Sequence, residues 1–336
     1  MKLSNVGEFG LIRTIRKQFL QKNPRVQIGI GDDAAALSCT PSHTLLATSD
    51  LLLEGVHFDL AFTDFYSLGW KSAAVNLSDI AAMGGIPRFC LTSIGIPSCI
   101  TVEQITDFYR GFKTLSRKHG VSLVGGDTCL SQKEFVISVT VLGEVERSKM
   151  QTRRGARPGD HIFVTGTLGD SAGGLELLKT GGSRQGTGAG KLVQKHLRPV
   201  PRIEYGRAIA RSGCATAMID ISDGLSSDLF HICEQSKTGA EIYSRSIPLS
   251  SALLGAHTLR YAPDYYALSG GEDYELLFTV PPKKIKKLLS LKLPVSEVGS
   301  ITKKTGLAIT DDRGLTKSFL PAGYDHFRST AGRRNV

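Results

Sequence analysis

The chain has 336 residues, long enough for two domains of ordinary size that each bury a core. Apolar residues at 41% and charged residues at 21% exclude wholesale disorder, and no window approaches the length of a membrane span. The formal net charge of +10 is spread along the chain, without the aromatic-interleaved or zinc-bearing module that would make it a nucleic-acid footprint. Its densest runs, 147–157 and 283–287, read as a linker and a solvated helix face. Lys2, Arg13, Arg16 and Lys17 precede no apolar run of signal-peptide length, so a cytoplasmic location is expected. Six cysteines without a Cys-x-x-Cys pair or a histidine at zinc spacing read as reduced, mostly buried thiols.

In chain order, Phe9, Ile12, Ile15 and Phe19 mark an amphipathic helix over 8–21. A short strand into Ile28 delivers the turn Gly29-Ile30-Gly31-Asp32-Asp33-Ala34-Ala35, where neither carboxylate has a basic neighbour in sequence. A second strand over 44–49 places Asp50 at its exit, and His57 falls in a loop. From Asp64 the pattern is helical until Met83-Gly84-Gly85, and Asn76 and Asp79, three apart, share one face. A strand over 89–95 follows; Thr101-Val102-Glu103-Gln104 is a capping box opening a helix that stops near Gly120. A strand over 121–124 ends in Gly125-Gly126-Asp127, and 135–142 is another. The polar, basic stretch 144–158 reads as a domain boundary, giving domains 1–150 and 151–336. Beyond it come a strand over 160–165, a turn, a helix over 171–179, a glycine-rich surface loop over 181–190 and a helix over 202–211. A strand over 217–221 then runs into Asp223-Gly224 and a helix over 225–235, followed by a strand over 274–280, a basic helix, a strand near Val298 and a hairpin about 311–314. Helices alternating with hairpins predict layered α/β units with mixed sheets.

Two phosphate-loop look-alikes fail on their details. The turn at Gly29 matches a dinucleotide fingerprint, but a pyrophosphate there would meet two bare carboxylates and no helix pattern follows. The stretch 186–191 resembles a nucleotide-binding loop, yet Gln185 stands where a glycine is required and Leu192 where a hydroxyl is required. What repeats is aspartate at element ends beside a hydroxyl, amide or glycine: Asp33, Asp50, Asp79, Asp127, Asp220 and Asp223. One aspartate in a turn is ordinary turn chemistry; five such element ends supply the oxygen set a hard cation such as Mg²⁺ takes together with phosphate. Arg153 reads as solvated by default, or as an arginine reaching a triphosphate from a mobile segment. His57 is equally a structural residue or a ligand contact, and Tyr109 is core first and a base-stacking surface second.

Taken together and in order, Gly31-Asp32-Asp33, Thr48-Ser49-Asp50, Asn76-Leu77-Ser78-Asp79, Gly125-Gly126-Asp127-Thr128, Val164-Thr165-Gly166-Thr167, Ile219-Asp220-Ile221-Ser222-Asp223-Gly224, Ser269-Gly270-Gly271-Glu272-Asp273-Tyr274 and Gly323-Tyr324-Asp325-His326-Phe327 resemble the signature blocks of the thiamine-monophosphate kinase family, over nearly the whole chain. The resemblance implies a two-domain α/β (α+β) fold of the aminoimidazole-ribonucleotide-synthetase-like (PurM-like) superfamily. Its N-terminal mixed sheet pairs across a homodimer, and a C-terminal α/β domain completes the substrate site. It implies an ATP- and Mg²⁺-dependent phosphotransferase that converts thiamine monophosphate to thiamine diphosphate, without membrane or nucleic-acid partners. Carried over by position, Asp33, Thr48, Ser49, Asp50, Asp79, Asp127, Asp220 and Asp223 would be Mg²⁺ ligands. Tyr109, Gly126, Arg153 and Ser222 would contact ATP, and His57, Glu272 and Tyr324 the thiamine phosphate. No catalytic general base is expected, because a phosphate-monoester acceptor is already a nucleophile and the task is charge neutralisation and alignment. The competing readings are a relative such as selenophosphate synthetase, which would want a reactive cysteine before Cys39, the enzyme of hydrogenase cyanide ligands, which would want a C-terminal cysteine, and a basic nucleic-acid-binding module.

Overall fold

The computed structural model describes residues 26–28, 32–33, 35–38, 41–181, 187–324 and 327. The helix expected over 8–21, the glycines at 29 and 31, and Asp325-His326 lie outside the described residues. Strands β1 (Val26–Ile28), β2 (Ala35–Ser38) and β3 (His43–Leu53) precede helix α1 (Phe65–Ala82). Then come β4 (Ile86–Pro97), α2 (Val102–Lys118), β5 (Ser122–Ser131) and β6 (Val136–Glu146). The six strands form one sheet in the order β1-β2-β3-β6-β4-β5, antiparallel except for the parallel pair β4 and β5.

The chain continues through β7 (His161–Thr165), α3 (Asp170–Lys179), α4 (Thr187–Leu197), α5 (Ile203–Ser212), β8 (Ala217–Asp220), α6 (Leu225–Ser236) and β9 (Gly239–Tyr243). It closes with α7 (Ser251–Leu254), α8 (Pro263–Ser269), β10 (Leu276–Val280), α9 (Ile285–Leu289), β11 (Val295–Thr302), β12 (Gly306–Thr310) and β13 (Thr316–Phe319). These strands build a second sheet, β13-β12-β9-β11-β7-β10-β8, parallel only between β9 and β12. The expectation of mixed sheets in an α/β architecture is met.

The helix α1 decides how the two sheets meet. Asp64 caps it, its Oδ1 accepting from the Ser67 amide at 2.8 Å, and the residues behind are Ser, Ala, Gly and aliphatic nearly all the way round. A helix with no polar stripe must be covered on every side, and this one is buried along most of its length. Its small residues let neighbours approach closely: a Cβ at Gly206 of α5 would sit 2.1 Å from the Ala81 carbonyl oxygen. As a result one apolar cluster runs from Leu46, Ile80 and Phe108 through to Ile209, Met218 and Phe278. A second apolar cluster, around Ile219, Leu229 and Ile242, fills the far side of the second sheet.

Several local expectations shift for the same reason, that tertiary pairing overrides local punctuation. Strand β3 continues past Asp50 to Leu53 because β6 pairs with it along its whole length. β5 runs through Gly125-Gly126-Asp127 to Ser131, held by β4. The surface loop expected over 181–190 is instead helical from Thr187 onward, with Leu192 fully buried in a cluster with Leu177 and Leu253. Tyr274 precedes β10 at φ 52° rather than beginning it. Among the described cysteines, Cys90, Cys214 and Cys233 are buried, Cys99 and Cys129 are exposed, and all are free thiols.

Candidate active site

Three side chains of α1 reach across to the two sheets. Thr48 of β3 donates a hydrogen bond to Asp79, and the Asp50 amide donates to Asn76 Oδ1 at 3.1 Å. From the next position on the helix, Ser78 Oγ donates to Asp220 Oδ2, at the end of β8, at 2.5 Å. The Asn-Leu-Ser-Asp block thus joins the first sheet to the second. Asp33 closes the group: one carboxylate oxygen each from Asp33, Asp79 and Asp220 lies within 4.8 Å of the others.

Asp32 and Asp33 do have a cation, contributed from 120 residues away. Arg153 pairs with Asp33, and its Nε lies 3.7 Å from Asp32 Oδ1. Its side chain is only 16% exposed, so the solvated reading of this arginine is corrected. Burial alone would lower its pKa, but the carboxylates of Asp33, Asp32 and Asp220 hold it above its ordinary value. One guanidinium does not balance so many acids. Burial and Asp33 push Asp32 up to about 7 and Asp50 up to about 6. Burial, Asp33 and Asp50 carry Asp220 up to about 8 against the pull of Ser78 and Arg153. Asp79, buried against Asp50, Asp220 and Asp33, rises well above the carboxylate range.

Such a cluster is met either by protons or by a cation. Asp33 Oδ2 is buried and has no hydrogen-bond partner among the described residues. The donors are carboxylates and hydroxyls, with no thiolate or imidazole in the group. That set suits a hard divalent ion, and magnesium fits it.

The other expected residues fall around this centre. Ser222 and Asp223 form the turn between β8 and α6, where the Ser222 carbonyl accepts from the Glu272 amide at 2.7 Å and the Asp223 carbonyl from the Tyr324 amide at 3.2 Å. His57 Nδ1 accepts from the Leu53 amide at 3.0 Å, so its ring closes the end of β3. Tyr109 packs on the core, edge-on to Phe108 with 5.2 Å between ring centroids, in line with its core-first reading. Gly126 approaches β4 so closely that a Cβ would stand 1.9 Å from the Thr92 carbonyl oxygen; only glycine fits. Two expected ligands do not join the buried group. Ser49 is exposed, with Oγ 3.0 Å from Thr140 Oγ1, and Asp127 is exposed on β5 opposite Ser93.

Sequence reading missed Asn76, Ser78, Lys71 and Asp228 as site residues. Asp228 Oδ2 accepts from the amides of Asp223 and Gly224, both at 3.1 Å, and so shapes the turn that carries Asp223. Its signal was present: an acid in the first turn of a helix caps the chain before it. Lys71 was equally visible as the one basic residue in a helix of mostly small and apolar residues.

Residues 31–145 match the family model of the AIR synthase related protein N-terminal domain, and 157–312 that of its C-terminal domain. The chain is 38% identical over 333 residues to the thiamine-monophosphate kinase of Haemophilus influenzae, covering 97% of this chain and 99% of that protein. It is 39% identical to that of Aquifex aeolicus, over 97% and 100% of the two chains. The solved structure of AaThiL complexed with AMPPCP and TMP superposes with a TM-score of 0.87 at 39% identity, covering 97% of this chain and 99% of that one. Sequence, two-sheet architecture and the aspartate centre agree: the chain belongs to the thiamine-monophosphate kinase family, built on the AIR synthase related domains.

Proposed function

We propose that the protein is a thiamine-monophosphate kinase, transferring the terminal phosphoryl group of ATP to the phosphate of thiamine monophosphate to give ADP and thiamine diphosphate. The observation that carries this reading is the convergence of Asp33, Asp79 and Asp220, from three distant parts of a family-matched chain, at one buried point. Both reactants are polyanions, so the chemistry asks for positive charge and alignment rather than a base. Asp33, Thr48, Asp50, Asp79, Asp220 and Asp223 would hold magnesium, with Ser49 and Asp127 completing the set toward the nucleotide. Bound magnesium would neutralise the phosphate oxygens and orient them for in-line attack.

The chain's own residues do the rest. Arg153 supplies a fixed positive charge beside Asp32 and Asp33 and is assigned, with Tyr109, Gly126 and Ser222, to ATP. Gly126 lets β5 lie tight against Thr92 of β4 at the position assigned to the nucleotide. His57, Glu272 and Tyr324 are assigned to thiamine monophosphate. Glu272 stays ionised: burial would raise its pKa, but the Lys71 ammonium beside it brings it below the ordinary value.

The same reading includes domains over 1–150 and 151–336, a homodimer and a cytoplasmic location. Support for the dimer lies in the β4–β5 side of the first sheet, where Phe89, Leu91, Leu123, Val124 and Leu130 are exposed, Leu130 to 73%. An edge strand with apolar side chains in solvent invites pairing with another copy. Among the described residues no helix is long and apolar enough to cross a membrane. Turnover with ATP, Mg²⁺ and thiamine monophosphate, run beside unphosphorylated thiamine, tests the function. A preference for the monophosphate supports it, and equal or greater use of thiamine rejects the assigned acceptor.

A further inference from the structure

Lys71 stands in α1 among Ser67, Gly69, Ser72, Ala73 and Ala74, and it is 1% exposed. Its Nζ lies 2.7 Å from Glu272 Oε1 and donates to the His57 carbonyl oxygen at 3.2 Å. The other oxygen of Glu272 is 3.2 Å from Nδ1 of His196, which in turn is 3.1 Å from Ser171 Oγ. His196 is 2% exposed, and burial together with Lys71 lowers its pKa to about 3, so a neutral imidazole faces the carboxylate. The backbone is committed as well: Glu272 at φ 68° and Tyr274 at φ 52° sit in the left-handed region that residues with side chains seldom occupy.

A cation, an imidazole and a strained backbone therefore fix one carboxylate whose side chain remains 25% exposed. A buried lysine–glutamate pair adds little stability over an apolar pair of the same volume, whereas removing one partner is severe. Its presence is better explained by placement than by holding the fold together. Lys71 bonds to His57 in the turn after β3 and to Glu272 in the segment before β10, so it spans the two sheets.

We infer that Lys71 is a positioning residue for the acceptor substrate: it ties the His57 turn to Glu272 and aims the free face of that carboxylate at the organic end of the acceptor, which carries a cationic ring and a ring amine. This rests on the kinase reading above, in which His57 and Glu272 belong to the acceptor site. A carboxylate pinned on both oxygens accepts a hydrogen bond from a ring amine in one orientation only, and its charge complements a cationic ring without meeting the acceptor's phosphate. Lys71 acts through Glu272.

The test is steady-state kinetics of the full chain with thiamine monophosphate and ATP varied separately, for wild type, Lys71→Met, Glu272→Gln and the double variant. Loss of a charged hydrogen bond predicts a rise of about 10-fold or more in KM for thiamine monophosphate in Lys71→Met, with KM for ATP within about twofold of wild type. The double variant should be no worse than Glu272→Gln alone, because both lesions remove one interaction. It also removes the two buried charges together, so it keeps the comparison available if a lone Glu272 prevents Lys71→Met from folding. An unchanged KM for thiamine monophosphate, a parallel rise in both KM values, or a double variant another 10-fold worse than Glu272→Gln overturns the inference. A wild-type protein with no turnover of thiamine monophosphate would instead reject the kinase reading.

Discussion

Replacing Asp220 by asparagine in the metal-free protein isolates the electrostatic cost of the acidic centre. Asp220 is 2% exposed and its pKa is carried up to about 8 from an ordinary 3.8. Between those values the folded protein keeps a proton that the unfolded chain has released. The stability this group contributes is complete below about pH 3.8 and is lost as pH climbs through about 8, at about 1.4 kcal/mol per pH unit. From pH 5 to pH 7 the loss is about 3 kcal/mol. An unfolding entropy of about 0.7 kcal/mol/K for 336 residues converts that to about 4 °C in melting temperature. Asparagine does not titrate, yet its amide oxygen still accepts from Ser78 Oγ, so the packing is preserved. Thermal melts in chelator at pH 5 and pH 7 should therefore show wild type losing about 4 °C more than Asp220→Asn. Magnesium at about 100 times its Kd should restore about 2.7 kcal/mol to wild type at pH 7 and less to the variant. Parallel melting curves for the two proteins across this range would refute a crowded, proton-holding centre.

Asp50→Asn and Asp127→Asn should each abolish turnover while leaving the melting temperature within a few degrees; near-normal activity of both at saturating Mg²⁺ would remove them from the ligand set. Gly206→Ala places a methyl group where the Ala81 carbonyl stands, so denaturant unfolding should show a loss of about 1–3 kcal/mol. A neutral substitution would mean that α5 and α1 are less tightly apposed than found. Arg207 donates to both carboxylate oxygens of Glu146, at 2.8 and 2.9 Å, and to the Gly84 carbonyl at 2.8 Å; Arg207→Ala should lower stability by about 1–3 kcal/mol with kcat retained. Leu123→Arg with Leu130→Arg should convert a dimer to monomer by light scattering, and a wild-type monomer would reject the proposed pairing of sheets.

Much of this molecule was legible from order and spacing alone. Capping at Asp64 and Thr101, the stop at Met83-Gly84-Gly85 and the turns at Gly166 and Gly224 mark element ends by local chemistry, which short-range sterics and hydrogen bonding enforce wherever the chain goes. The aspartates at those ends announced a polyvalent oxygen site for the same reason: carboxylates beside glycine and hydroxyls are arranged within a few residues. Where local signals failed, a partner from elsewhere decided. The glycine-rich stretch became helical from Thr187 because Leu192 finds a buried apolar place, and β5 runs through two glycines because β4 supplies its ladder.

The sequence by itself therefore determined the elements, the aspartate positions and the family, since these rest on residue type and short spacing. Only the tertiary structure decided which charges meet. Arg153 finds Asp32 and Asp33 across 120 residues, Ser78 finds Asp220, and Lys71 finds Glu272, pairings no spacing rule encodes. The physical reason lies in α1: being uncharged and small almost all round, it is buried between two sheets, and its few polar side chains must be answered by whatever those sheets bring. Part of the chain's positive excess is consumed in this way, as Lys71, Arg153, Arg202 and Arg207 pair inward with carboxylates instead of facing an anionic partner.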